Sequence, residues 1–374
     1  MHPDAILRRL AALAAFAALT LTGVPARADI LIGQTADFSG PAAPSVRECT
    51  AGARLAIDAV NRAGGVHGQP IRLASLDDGF SPQRAADNAR QLIAQGAVAL
   101  FLTRGTPQTQ ALLPLLAEHG VPLVAPSSGA MLLHRPVNPW VFNVRSSYQH
   151  EAERVVQHLG LIGAKRLAIL HTNDSFGEDA VQGALHGLAA EGRQPAALIA
   201  FDRLKPDFDR LVPAVLHAQP DAVLFIGPAN SVADGTARLR AAGARAQVVT
   251  LSNNASQGFI RALGSNARGV VVSQVFPDER SASFALVREA RDLARQAGVR
   301  LTPQMLEGFA GAKVLIEGLR RAGPNPTRTA LRDALDSLHH FDLGGLALGY
   351  APDDHTGLDY VDLAIIDEHG RYER

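Results

Sequence analysis

The sequence predicts an α/β protein in two similar lobes, each a parallel sheet flanked by helices. Three observations lead there. From Asp29 onward, short apolar runs alternate with helix-like segments, which implies parallel sheets covered on both faces. The alternation comes twice, with a break near Arg145–Glu151. No low-complexity linker divides the 374 residues, so short crossovers join the lobes.

The first run opens with the strand "ILIGQT". "TAGARLAIDAVNRAGG" follows, with Ala53, Ile57 and Val60 on one helical face and Gly-Gly as its stop. "IRLASLDD" is the next strand. "SPQRAADNARQLIAQG" starts a helix, with Ser81 as N-cap and Pro82 in the first helical position. "VALFL" is a strand, "TPQTQALLPLLAEHG" a helix that Thr106 caps, and "VPLVAP" a strand.

The second run repeats the pattern. Its strands are "KRLAILH", "AALIAFD", "DAVLFIG" and "AQVVTLS". Its helices are "GEDAVQGALHGLAAEG", "DFDRLVPAVLHAQ" and "SVADGTARLRAAG". After Pro277 come "SFALVREARDLARQAG", "PQMLEGFAGAKVLIEGLRRAG" and "TRTALRDALDSL", too late to belong simply to the second run. A return to the first lobe accounts for them. "GGLALGY" and "YVDLAIID" end the chain as strands.

The N-terminus is of another kind. Arg8-Arg9, an apolar run from Leu10 to Leu21 and Ala26-Arg27-Ala28 make a secretory signal peptide, with cleavage expected after Ala28. No later stretch is long and apolar enough to span a bilayer. Lys+Arg and Asp+Glu are both 36, so no basic excess favours nucleic acid. The single cysteine, Cys49, rules out an internal disulfide and is expected on a helix.

No catalytic set stands out. "GFAGAK" (Gly308–Lys313) lacks the spacing and the Ser/Thr of a phosphate loop. Asp353–His355 is expected in a polar turn, His339–His340 at a helix end, and Asp77–Asp78 as a strand end. No metal or other cofactor is implied. What remains is two clusters of small hydroxyls, Thr106 and Ser127–Ser128, each just after an apolar run. In an open parallel sheet, that is where ligands bind. A hydroxyl beside free helix N–H groups suits a carboxylate.

With these residues in hand, the chain resembles the periplasmic solute-binding proteins of the leucine/isoleucine/valine-binding type, the receptors of ATP-driven importers. The stretches that carry it are "IGQTADFSGPAA", "GARLAIDAVNRAGGVHGQPIRLASLDDGFSPQRAADNARQLI", "PLVAPSSGA", "FNVRSS", "HTNDSFGEDAVQG" and "RLRAAGARAQVV". The resemblance implies the type I periplasmic binding protein fold, two lobes joined by three crossovers and hinged around a ligand. The expected lobes are residues 29–148 with 277–349, and 149–276 with 350–374, after the signal peptide at 1–28. It places the Thr106 hydroxyl on the ligand carboxylate, Ser127 where backbone N–H and C=O contact the ligand's carboxylate and amino groups, and Phe176 at an aromatic position of the second lobe; Ser128 is a candidate through the hydroxyl cluster it shares with Ser127. Pro228 falls where an aromatic is common, and Ser45 in the loop lining the cleft. Tyr148 and Asn253–Asn254 are added cleft residues.

The departures carry information. Branched-chain amino-acid binders have a threonine where this chain has Gly129, and a glutamate that pairs with the ammonium near Asn253. Here both are lost, and a buried ammonium without a counter-charge is costly. Some members have a disulfide joining positions that match Phe80 and Gly105. Arg104 is an added charge beside the carboxylate cradle, facing either solvent or the anion. The implied partners are a small amino-acid-like or carboxylate solute and ABC permease subunits, for a monomeric protein in the periplasm. A ligand-sensing receptor for a signalling kinase is the alternative.

Overall fold

The computed structural model describes residues 28–374, so the signal peptide lies almost wholly outside the described residues. In the first half of the chain the elements are β1 (Ile30–Ala36), α1 (Ala43–Arg62), β2 (Ile71–Asp77), α2 (Pro82–Ala94), β3 (Ala99–Phe101), α3 (Thr106–Gln110), α4 (Leu113–His119), β4 (Leu123–Val124) and β5 (Val141–Phe142). The five strands form a parallel sheet in the order β2-β1-β3-β4-β5.

A second unit repeats this. It holds α5 (Tyr148–Leu161), β6 (Leu167–Thr172), α6 (Ser175–Ala190), β7 (Ala197–Phe201), α7 (Phe208–Ala218), β8 (Ala222–Ile226), α8 (Ala229–Ala241), β9 (Gln247–Thr250), α9 (Gln257–Leu263) and β10 (Val271–Gln274). Its parallel strands run β7-β6-β8-β9-β10, the same order as in the first sheet. The chain then returns. α10 (Ala285–Gln296), α11 (Pro303–Arg321) and α12 (Arg328–Asp336) share a core with β1, β3 and α1. A small hairpin, β11 (Phe341–Asp342) and β12 (Ala347–Leu348), follows. β13 (Asp362–Ile366) and β14 (Tyr372–Glu373) add antiparallel strands to the second sheet beside β10. The chain thus crosses between the two lobes three times.

Each sheet is buried on both faces, which is why its strands are apolar runs. In β6, Ala168 and Leu170 enter one core and Leu167 and Ile169 the opposite one. In β8, Val223 and Phe225 divide from Ala222, Leu224 and Ile226 in the same way. Such alternation between two apolar layers is the period-2 geometry of a strand.

The glycines of "GFAGAK" serve helix packing. A Cβ on Gly308 would lie 1.8 Å from the Cys49 carbonyl oxygen, and one on Gly52 1.8 Å from that of Met305. α1 and α11 therefore meet backbone to backbone. Cys49 is buried on α1 at 3% exposure, and burial raises its thiol pKa well above the usual value, with Glu307 adding to the effect.

Several expectations need correction. The helix from Thr106 is two short helices, because Pro114 has no N–H to donate to the Gln110 carbonyl. Thr106 does not cap it. Gly105, at φ +90°, is the cap residue, and Thr106 is the first helical residue with its hydroxyl turned to Ser128. Ser45 is not in a loop, since α1 begins at Ala43 with Pro44 in its first turn. His339–His340 lie beyond the end of α12, and His339 Nδ1 bonds to the Tyr350 carbonyl. His355 is buried at 2% exposure, stacked on Phe142 and 3.0 Å from Asp336. The sequence reading did not include α5, α9, β5, β10, β11 or β14.

Candidate functional site

In both sheets the strand order reverses at the first strand, between β1 and β3 and between β6 and β8. Loops leaving the carboxyl ends of strands at such a point diverge and leave a crevice. The two crevices face each other. Together they line one narrow cleft.

Every strand flanking the two switch points contributes. Pro41, Ala42 and Ser45 follow β1, Phe80 follows β2, and Arg104 to Thr106 follow β3. From the other lobe, Phe176 follows β6, Arg203 follows β7, Pro228 and Ala229 follow β8, and Asn253 and Asn254 follow β9. Tyr148, from the first crossover, completes the lining.

The first-lobe wall is held from behind. Asp37 accepts from the backbone N–H groups of Gly40 and Ala42, fixing the Ser39-Gly40-Pro41 turn. Ser45 donates to the Ala42 carbonyl at 2.9 Å. Thr106 Oγ1 and Ser128 Oγ are 2.9 Å apart. Ser127 Oγ accepts from Arg104 Nη1 at 2.7 Å and donates to Glu307 Oε1 at 2.6 Å. Ser127 and Ser128 are not among the residues lining the cleft; they stand behind it, bonded to Arg104 and Thr106.

Arg104 does not face solvent. It is 6% exposed, and its Nη2 donates to the Asn253 carbonyl of the other lobe at 2.5 Å. Its direct partners are thus neutral oxygens, with Glu307 reached only through Ser127. Gly129 is explained by crowding. A Cβ there would lie 2.7 Å from the Ser146 carbonyl and 2.8 Å from the Tyr148 nitrogen, so the first crossover fills the space a threonine would need.

On the second lobe, Asp174 Oδ1 caps α6 by accepting from Phe176 N at 3.0 Å and Gly177 N at 3.2 Å. Its Oδ2 pairs with Arg203 Nε at 2.5 Å. Phe176 meets Tyr148 edge to face at 4.9 Å between ring centres. Pro228 is the N-cap residue of α8. Asn253 Nδ2 donates to the Gly227 carbonyl and to Asn254 Oδ1.

Beneath Tyr148, at the first crossover, lies a buried ionic knot. Arg145 pairs with Glu151, donates to Ser252 Oγ at 2.7 Å and stacks under the Tyr148 ring at 4.6 Å. Glu151 also accepts from Ser252 N at 2.9 Å. Each carboxylate here has a partner and none lines the cleft. The lining holds two guanidiniums and no Asp or Glu.

Among the described residues no group of His, Cys, Asp or Glu is placed to hold a metal, and no helix is long and apolar enough to cross a membrane. Sequence reasoning did not single out Phe80 or Arg203. The rule that picked out Thr106, a residue just past the end of a buried strand, picks them out too, once β2 and β7 are given their ends.

Two α/β lobes, three crossovers and a polar cleft at matched switch points are the architecture of a ligand-binding protein of the periplasmic binding class. The chain belongs to the periplasmic binding protein family, whose pattern it matches over residues 29–371. It is similar to the Leu/Ile/Val-binding protein homolog 3 of Brucella melitensis, 24% identical over 86% of this chain and 87% of the relative. It is 22% identical to the Leu/Ile/Val-binding protein of Escherichia coli K12 over 71% and 72% of the two chains. Among solved structures, a substrate-binding periplasmic protein from Ralstonia solanacearum superposes with a TM-score of 0.85 at 31% identity, covering 92% of this chain and all of that one. A possible leucine/isoleucine/valine-binding protein from Rhodopirellula baltica does so with a TM-score of 0.88 at 26% identity, covering 95% and 98%.

Proposed function

We propose that this protein is the substrate-binding component of an ABC importer and that its solute is a small carboxylate without a required ammonium group. It is exported by its signal peptide, with cleavage after Ala28, and works as a monomer in the periplasm. Its lobes are residues 29–148 with 277–349, and 149–276 with 350–374. The solute favours the closed arrangement by touching both lobes, and the closed form is what the permease recognises. The protein performs no chemistry on the solute.

One observation carries the solute class. Arg104 is buried in the cleft wall with neutral oxygens as its direct partners, and no carboxylate lines the cleft. A buried guanidinium is stabilised by an anion, and an ammonium there lacks a counter-charge. The relatives named for leucine, isoleucine and valine therefore indicate the machinery of this protein rather than its solute.

The test is a thermal-shift panel on the mature chain with leucine, isoleucine, valine, 4-methylpentanoate, benzoate and the amides of the two acids. A ligand at a hundred times its Kd adds about 2.7 kcal/mol. Stabilisation by the amino-free acids is expected. Tight binding of leucine, isoleucine or valine overturns the reading.

A further inference from the structure

We propose that Arg203 is the second-lobe half of the anion site, gripping the same acidic group that Arg104 meets from the first lobe. This deepens the carboxylate reading above and rests on it. The side chain of Arg203 is 12% exposed and lines the cleft. A guanidinium carries five N–H donors. Here Nε faces Asp174, while Nη1 is buried with no hydrogen-bond acceptor. Asp174 does not serve Arg203 alone, because its Oδ1 also accepts from Thr172 Oγ1 and from two N–H groups of the α6 N-terminus. A buried donor without an acceptor is a costly arrangement unless a ligand completes it.

The first lobe has a cradle ready for this side chain. Phe80 holds a left-handed backbone at φ +64°, which is unusual for a bulky residue. Both of its backbone groups are pinned. Phe80 N donates to Asp78 Oδ1 at 2.9 Å, and its carbonyl accepts from Gln108 Nε2 at 2.5 Å. The result places the ring 4.8 Å beneath the Arg203 guanidinium, with Phe176 at 5.8 Å. Phe80 and Arg203 belong to different lobes, so this stacking forms only on closure.

Closure also brings Arg203 into the cleft that holds Arg104. Two like charges in one desolvated cleft repel. A solute anion between them turns that repulsion into attraction on both sides. A neutral or cationic solute leaves it standing. The arginine pair thus makes closure itself selective for an acid, a use of unfavourable charge against wrong ligands.

The experiment titrates 4-methylpentanoate, benzoate and their amides into wild type, Arg203→Gln, Arg203→Lys, Phe80→Leu and Arg104→Gln. Arg203→Gln is expected to weaken the acids by at least about tenfold and to leave the amides unweakened or bound more tightly, because the repulsion they left standing is gone, with partial recovery of acid binding in Arg203→Lys. Phe80→Leu separates the roles, since it removes the stacking and keeps the charge. It is expected to weaken acids and amides alike. An equal loss of acids and amides in Arg203→Gln overturns the proposal, because Arg203 is then only a latch between lobes. Acid binding lost in Arg104→Gln but kept in Arg203→Gln also overturns it and leaves the carboxylate reading standing. Failure of both acids to bind wild type removes that reading and this one together.

Discussion

Asp78 shows how one residue ties the rim of the cleft to pH. It is fully buried beside Asp37 and Asp77, accepts from Phe80 N and Thr35 Oγ1, and burial pushes its carboxyl pKa up to about 7. An acid with a raised folded pKa binds its proton more tightly folded than unfolded. Stability is then greatest at low pH and falls as pH rises from the ordinary value of 3.8 to about 7. Asp78→Asn keeps an acceptor for Phe80 N and removes the ionisation. The variant is expected to match wild type near pH 4 and to melt higher at pH 8, by about 2–4 °C for each kcal/mol gained. Melting curves across this range check it, and an unchanged difference at both ends sinks it.

At the scale of elements, the α1–α11 pair is the joint most sensitive to a single atom. The Gly308 and Gly52 contacts leave no room for a methyl group, because the obstructing atoms are backbone oxygens rather than movable side chains. Gly308→Ala is expected to push the helices apart and destabilise by roughly 1–3 kcal/mol, the usual cost of overpacking. Denaturant unfolding measures it, and a loss under about 0.5 kcal/mol, the range of an ordinary surface change, contradicts the packing account. The helix after Thr106 makes a related point. Its break at Pro114 follows from one missing N–H, whereas nothing in its spacing says that the Thr106 hydroxyl turns to Ser128 rather than to its own helix.

For the whole molecule, the lobes meet through more than the solute site. Glu48 on α1 accepts from Gln257 N at 3.3 Å and Gly258 N at 3.2 Å, the first turn of α9 on the other lobe, and from Thr302 Oγ1 at 2.9 Å. Close by, Gly258 lets Pro44 approach. Opening gives up the two bonds to α9 and spares the one to Thr302. Glu48→Ala is therefore expected to favour the open form and weaken solute binding by about tenfold, since hydrogen bonds to a charged group contribute about 1.5–3 kcal/mol. Small-angle scattering should show a larger radius of gyration for the variant at saturating wild-type ligand concentration. An unchanged radius with unchanged affinity rules out a role for Glu48 in closure.

The sequence by itself determined the α/β class, the doubled strand–helix pattern and the return of the late helices. Those rest on local signals: apolar runs, caps, and glycine and proline positions whose meaning lies within a few residues. It also pointed to Thr106, Phe176, Pro228, Tyr148 and Asn253, through strand ends and resemblance, and all five line the cleft. Only the tertiary structure decided which polar groups face that cleft and which stand behind it. Ser127 and Ser128 look the same in sequence as Thr106, yet Thr106 lines the cleft and they bond to its wall from behind. Arg104 was open to two readings until Asn253, 149 residues away, supplied its partner. Phe80 and Arg203 gain their meaning from each other across the cleft. A side chain's charge is written in the chain, but its desolvation and its counter-charge are set by residues that meet only when two separate sheets fold and face one another.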